Sequence, residues 1–180
     1  MTTANLITIV RILLVPVFVF FAAIFPGAYR DLIAAAIFLL ISVTDFLDGY
    51  IARKYNQITD FGKFLDPLAD KILVISAFVI FVAQGRLSPI ITIVVIIREF
   101  MVTSIRLIAA GKGCVIAASM SGKLKTFSQI VAVMAILLEP FLSLVICLPY
   151  GQIFSWIMLI LTVYSGAEYM IRNRKFISMN

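Results

Sequence analysis

Long apolar blocks separated by short polar breaks run the whole length of the chain. A helix needs about 20 consecutive apolar residues to cross the hydrocarbon of a bilayer. Six blocks approach that length, over residues 6–25, 32–52, 66–84, 88–110, 124–148 and 152–171. The breaks carry turn formers or polar groups: Pro26-Gly27, the stretch from Arg53 to Gly62, Gly85-Arg86, the segment from Gly111 to Gly122, and Pro149-Tyr150-Gly151. No repeat of fixed period and no low-complexity tract appears in the sequence. The pattern predicts an all-α polytopic membrane protein with six transmembrane helices, formed as a single domain over residues 1–180.

Composition sharpens this. Hydrophobic residues make up 63% of the chain and charged residues only 13%, with a mean hydropathy of +1.12. A soluble domain is roughly half apolar and about a quarter charged, so this excess calls for lipid as the solvent. The net charge of +6 would suit nucleic acid in a soluble protein. In so apolar a chain it is read as the positive-inside effect and contact with anionic head groups, with no nucleic-acid partner. The two cysteines, Cys114 and Cys147, lie far apart, and the absence of histidine excludes a His-based triad or a His-bound metal. The opening MTTANLITIVR lacks the basic start and small-residue cleavage site of a signal peptide, so the first span is expected to stay.

Six spans put both termini on one side. Three loops or tails then share that side: one with Arg53, Lys54 and Lys63, one with Lys112, Lys123 and Lys125, and one with Arg172, Arg174 and Lys175. The other side holds Arg30 and Arg86. This asymmetry orients both termini to the cytoplasm.

The chemistry lies in the acidic residues. Four of the nine, Asp45, Asp48, Asp66 and Asp70, fall at the cytoplasmic ends of the second and third spans. A membrane aspartate costs about 2.5–3.5 kcal/mol at a helix centre on insertion scales, which makes it a functional hypothesis. Asp45 and Asp48 are three apart, Asp66 and Asp70 four apart, so each pair shares a helix face. Two such pairs on consecutive antiparallel helices can converge, and divalent cations would neutralise them. An all-oxygen donor set suits Mg²⁺ or Mn²⁺ rather than zinc. Two ions about 3.5–4 Å apart can clamp a diphosphate. Gly49, Ala52 and Gly62 leave space for a flat ligand against the backbone, and Arg53 offers a fork for phosphate. Pro67 is expected in an early helical turn.

Residues 45–70 read DFLDGYIARKYNQITDFGKFLDPLAD and match D-x-x-D-G-x-x-A-R-x8-G-x-x-x-D-x-x-x-D at every fixed position. The segment resembles the CDP-alcohol phosphatidyltransferase family. That resemblance implies a polar active site at the cytoplasmic mouth. It implies metal ligation by Asp45, Asp48, Asp66 and Asp70, with Asp70 also the general base. It implies a CDP-diacylglycerol site over Asp45, Asp48, Gly49, Ala52, Arg53 and Gly62, with Asn5 and Thr8 near the nucleotide. It also implies a homodimer.

A second polar set follows the motif: Arg98, Glu99 and Arg106, then Ser121, Lys123, Lys125 and Thr126. The cations Arg98, Arg106, Lys123 and Lys125 suit an acceptor that carries its own phosphate. IREFMVTSIR and SGKLKTFSQ resemble the branch of the family whose acceptor is sn-glycerol 3-phosphate. Simpler roles stand beside these. Arg98 or Arg106 could pair with Glu99, Lys123 and Lys125 could anchor lipid, and Asn5 and Thr8 could cap the first helix. Another acceptor (inositol phosphate, serine or phosphatidylglycerol) would keep the family. A cation transporter would need acidic groups near the midplane or an inverted repeat, and the sequence has its aspartates at one mouth.

Overall fold

A computed structural model describes the backbone of residues 3–54, 60–111, 114, 116, 119–145 and 148–174, and their side chains from residue 10 onward except over 45–54 and 60–70. Every regular element among the described residues is helical. Helix α1 covers Thr3–Val19 and continues into a π-helical turn, Phe20–Ile24. Then come α2 (Arg30–Lys54), α3 (Asp60–Ala83), α4 (Pro89–Gly111), α5 (Met120–Leu142) and α6 (Tyr150–Arg172).

The helix ends follow from local chemistry. After α3 the chain reverses at Gly85, whose φ of 70° suits glycine. There Gly85 N–H bonds Val82 carbonyl at 3.0 Å and Arg86 N–H bonds Phe81 carbonyl at 2.8 Å. Pro89 opens α4 at a position where a missing N–H costs nothing. Ser119 caps α5 by accepting from Gly122 N–H at 3.2 Å. Pro16 stands inside α1, four residues before the π turn.

Two sequence boundaries are corrected. The third span was expected from residue 66, but α3 begins at Asp60, which leaves Pro67 beyond the first turn. Hydropathy records where apolar residues begin, whereas a helix continues through polar residues that favour it. The fifth span was expected over 124–148, but α5 covers Met120–Leu142 and gives way to a turn at Ser143–Val145. An apolar stretch in a turn has the same hydropathy as one in a helix. Lys123 and Lys125 therefore lie in α5 rather than in the loop.

Helix α1 packs on α2 and α3, α5 packs on α2, α3 and α6, and α4 packs on α3 and α6. Phe18, Phe38, Phe78, Phe81, Val133, Ile136 and Met158 form a fully buried core drawn from five helices. Outside it, Leu13, Ile24, Ile93, Phe100, Leu107, Ile160 and Ile171 are among many large apolar side chains left exposed. Such a surface would aggregate in water and suits lipid. α5 and α6 are each long and apolar enough to cross a membrane; α4 interrupts its apolar face with Arg98, Glu99 and Arg106.

Two glycines let α6 approach its neighbours closely, as small residues do in membrane bundles. A Cβ at Gly166 would stand 3.0 Å from Arg98 Cγ. A Cβ at Gly151 would stand 2.7 Å from Glu139 Oε2 and 3.0 Å from Ile136 Cγ1. Gly151→Ala should therefore destabilise the protein in detergent by about 1–3 kcal/mol, the usual cost of overpacking. Gly111→Ala, which meets nothing within 4 Å, should leave the unfolding midpoint unchanged. Equal midpoints for the two variants would contradict this packing.

Candidate active site

The backbone sets the positions of the acidic motif. Asp45, Asp48, Gly49, Ala52 and Arg53 lie in the C-terminal half of α2. Gly62, Asp66 and Asp70 lie in the N-terminal half of α3, and Asn5 and Thr8 in the first turns of α1. The side chains of all ten lie outside the described residues. Lys54 ends α2 and Asp60 opens α3; six peptide steps at up to about 3.6 Å hold these ends within about 22 Å. At 100° per residue, the first pair subtends about 60° and the second about 40°. The donor set is four carboxylates, which fits a hard divalent cation.

The register of α1 against α2 adds a residue that sequence reasoning passed over. The Phe18 and Phe38 rings pack at a tilt of 54° with centroids 5.7 Å apart. Arg11 (18 − 7) and Asp45 (38 + 7) lie equally far from that contact, toward the same end of two antiparallel helices. Arg11 is buried, 3% exposed, so a guanidinium is enclosed at the depth of the first aspartate.

The second polar set assembles around Glu99. Its carboxylate is buried on α4 and pairs with Lys125 of α5, itself 3% exposed. Arg98 reaches the same carboxylate oxygen at 3.4 Å and donates to Ser165 Oγ on α6 at 3.0 Å. Lys71, the residue after Asp70, donates to Thr103 Oγ1 at 2.7 Å, and Thr103 donates to the Glu99 carbonyl at 2.8 Å. Four helices thus meet through polar groups in an apolar bundle.

Sequence reasoning allowed Glu99 to pair with Arg98 or Arg106. Arg98 does so, whereas the Arg106 guanidinium lies 5.7 Å from the ring centroid of buried Tyr169. Lys125 lies in the cluster and Lys123 does not. Two residues apart on a helix means about 200° of rotation, and Lys123 is exposed. Lys71 and Gln129 were not among the expected site residues, yet both line a cleft with Val74, Ile75, Val95, Glu99, Lys125 and Thr126. Lys125 and Gln129 are four apart on α5, a spacing that could have revealed the pair.

A lipid-suited helical bundle with acidic pairs on two helices and clustered cations beside them has the architecture of a membrane enzyme acting on anionic groups. The CDP-alcohol phosphatidyltransferase model matches residues 1–164, and the chain belongs to that family. It is 45% identical to the CDP-diacylglycerol--glycerol-3-phosphate 3-phosphatidyltransferase of Bacillus subtilis, over 94% of this chain and 93% of that protein. Proteins of the same name from Rickettsia typhi and Salmonella paratyphi A are 39% and 36% identical, each over 92% of this chain and over 93% and 91% of their own lengths.

Removing one partner from a buried ion pair costs about 3–5 kcal/mol, because the other charge is stranded. Glu99→Ala should destabilise the protein by about that much in detergent. Combining it with Lys125→Met should recover at least about half of the loss. Strictly additive losses in the double-mutant cycle would show that the two side chains do not act as a pair.

Proposed function

We propose that this chain transfers the phosphatidyl group of CDP-diacylglycerol to sn-glycerol 3-phosphate, giving phosphatidylglycerophosphate and CMP. The observation that carries this reading is the likeness to proteins named for that reaction over nine-tenths or more of both chains. The intact aspartate motif on α2 and α3 supports it.

Asp45, Asp48, Asp66 and Asp70 would hold Mg²⁺ or Mn²⁺, as two ions. When bound, the metal would offset the negative charge of the diphosphate. Gly49, Ala52, Arg53 and Gly62, with Asn5 and Thr8, receive the cytidine and diphosphate. Asp70 takes the proton from the acceptor's 1-hydroxyl. That oxygen attacks the phosphorus bearing diacylglycerol, the bond from this phosphorus to the CMP oxygen breaks, and CMP leaves. Arg98, Arg106 and Lys125 orient the acceptor phosphate. Lys123, on an exposed face of α5, is assigned instead to anionic lipid.

The same reading makes residues 1–180 one membrane domain of six spans with both termini in the cytoplasm, the site at the cytoplasmic mouth. The acyl chains can then stay in the bilayer during transfer. A homodimer is proposed on family likeness alone.

Purified protein with CDP-diacylglycerol should release CMP only when sn-glycerol 3-phosphate and Mg²⁺ or Mn²⁺ are both present. Asp70→Asn should bind CDP-diacylglycerol yet turn over at least about 100-fold more slowly, as loss of a general base does. Release with a different alcohol alone would overturn the acceptor; near-normal turnover in Asp70→Asn would overturn the base. Orientation can be read from Cys114, which is free and exposed in the segment between α4 and α5. In a Cys147→Ser background, an impermeant maleimide should label Cys114 in inside-out vesicles and spare it in intact cells. The reverse pattern would invert the topology.

A further inference from the structure

Arg11 is the only charged residue of α1, and it is 3% exposed. A guanidinium enclosed by apolar helices needs a carboxylate beside it. Among the nine acidic residues, Asp31 is taken by Arg86 and Arg30 at the far end of the bundle. Glu99 is taken by Lys125 and Arg98, and Glu168 by Arg172 on α6. Glu139 abuts Gly151, where α6 begins. The other five, Asp45, Asp48, Asp60, Asp66 and Asp70, belong to α2 and α3, the two helices on which α1 packs.

Two contacts set the depth of Arg11 among them. From the tilted pair of Phe18 and Phe38, Arg11 lies seven residues back on α1 and Asp45 seven residues further along antiparallel α2. Seven residues turn through about 700°, within about 20° of two full turns. Position 11 thus stays on the Phe18 side of α1 and position 45 on the Phe38 side of α2. At the end of α3, Gln84 donates to the Ala22 carbonyl at 2.8 Å. α1 and α3 run in the same direction, and eleven residues before this contact stand Arg11 and buried Leu73. Asp70 lies three residues before Leu73, about 4.5 Å along the axis. Asp60 lies thirteen before it, about 20 Å away, which removes it as a partner. Arg11 therefore stands level with position 45 and about one turn inside position 70. Side chains on a helix lean toward its N-terminus, which for α1 is the aspartate end.

We propose that Arg11 is a positioning residue of the metal site, paired with Asp45 at its floor. The inference rests on the reading of the aspartates as metal ligands in the preceding section. The guanidinium is a fixed counter-charge that keeps the four carboxylates together before any cation is bound, since like charges so placed repel. The same positive charge opposes incoming cations, so Mg²⁺ or Mn²⁺ competes with a cation built into the fold. Sequence reasoning had no reason to select Arg11, because an arginine near the start of a membrane span reads as a topology signal or a snorkelling side chain.

The test is Mn²⁺ binding to the full-length protein in detergent, read from the electron paramagnetic resonance signal of free Mn²⁺, together with the thermal unfolding midpoint with and without Mn²⁺. Arg11→Met keeps much of the stem and removes the charge. It should bind Mn²⁺ at least about 10-fold more tightly, as expected when a unit positive charge leaves a partly buried cation site. Its midpoint should fall below that of the wild type without metal and recover most of the difference at saturating Mn²⁺. Arg11→Lys keeps the charge and should bind Mn²⁺ with close to wild-type affinity. A residue with a packing role alone would give the same fall in midpoint at every Mn²⁺ concentration and no tighter binding; either result overturns the proposal. Should Arg11→Met fail to fold without metal, its combination with Asp45→Asn should fold, since no charge is then stranded. A double variant as unstable as the single one also overturns the proposal. Wild-type protein that binds no Mn²⁺ would instead overturn the reading of the aspartates as a metal site, a result visible before any variant is made.

Discussion

A carboxylate inside a bundle of apolar helices has no water to solvate it, so it must collect cations. Glu99 does this. It draws Lys125 from α5 and Arg98 from its own helix, and Arg98 in turn reaches Ser165 on α6. Through Thr103 the same stretch of α4 receives Lys71 of α3. The approach of α6 needs Gly166, since a Cβ there would press on the Arg98 stem. The Glu99 side chain thus ties α4 to α5 directly and to α6 through Arg98, and the backbone of the same turn ties it to α3. Buried ion pairs rarely exceed a well-packed hydrophobic replacement in stability. Their presence here favours a role in setting geometry and charge over one in holding the bundle together. Cohesion is better assigned to the phenylalanine-rich core that α1, α2 and α3 share with α5 and α6.

The two ends of the bundle handle charge differently. At the far end Asp31 takes Arg86 at 2.9 Å and Arg30 at 3.0 Å, and Arg86 also bonds the Ile136 carbonyl. Those contacts join α2 to the α3–α4 turn and to α5, and they use the guanidinium within the protein. At the Glu99 end, Lys125 and Arg98 share one carboxylate oxygen, Lys71 bonds Thr103, and an open cleft adjoins them. The first arrangement fastens helices together. The second borders an open cleft.

Hydropathy made the six helices legible because their outer faces carry large apolar side chains along most of their length. It located the ends less well. The start of α3 at Asp60 and the end of α5 at Leu142 depend on helix propensity, capping and the turn at Ser143, to which an apolar index is blind. The aspartate motif was legible for another reason: its spacings of three and four place each pair on one helical face without any tertiary information. The partners of Glu99 were not. Lys125 lies 26 positions away, and at the start of a span a lysine looks like a topology signal. Only tertiary packing shows that Lys125 is buried while Lys123, two residues earlier, faces outward.

The step from Asp70 to Lys71 links the two halves of the proposed reaction. Consecutive helical residues rise by about 1.5 Å and turn by about 100°. Lys71 is committed to α4 through Thr103, so position 70 stands a quarter-turn or so away on the same helix. In the proposed reaction, the Asp70 face of α3 would serve the diphosphate, and the Lys71 face, bonded to Thr103 of α4, would lie toward the acceptor. Two anionic substrates that repel in water must be brought together for the hydroxyl of one to reach the phosphorus of the other. Separate cationic environments on adjacent faces of one rigid helix allow that approach. Reaction partners held by groups on a shared rigid element lose little precision to motion between their sites, which is where proximity contributes most to rate.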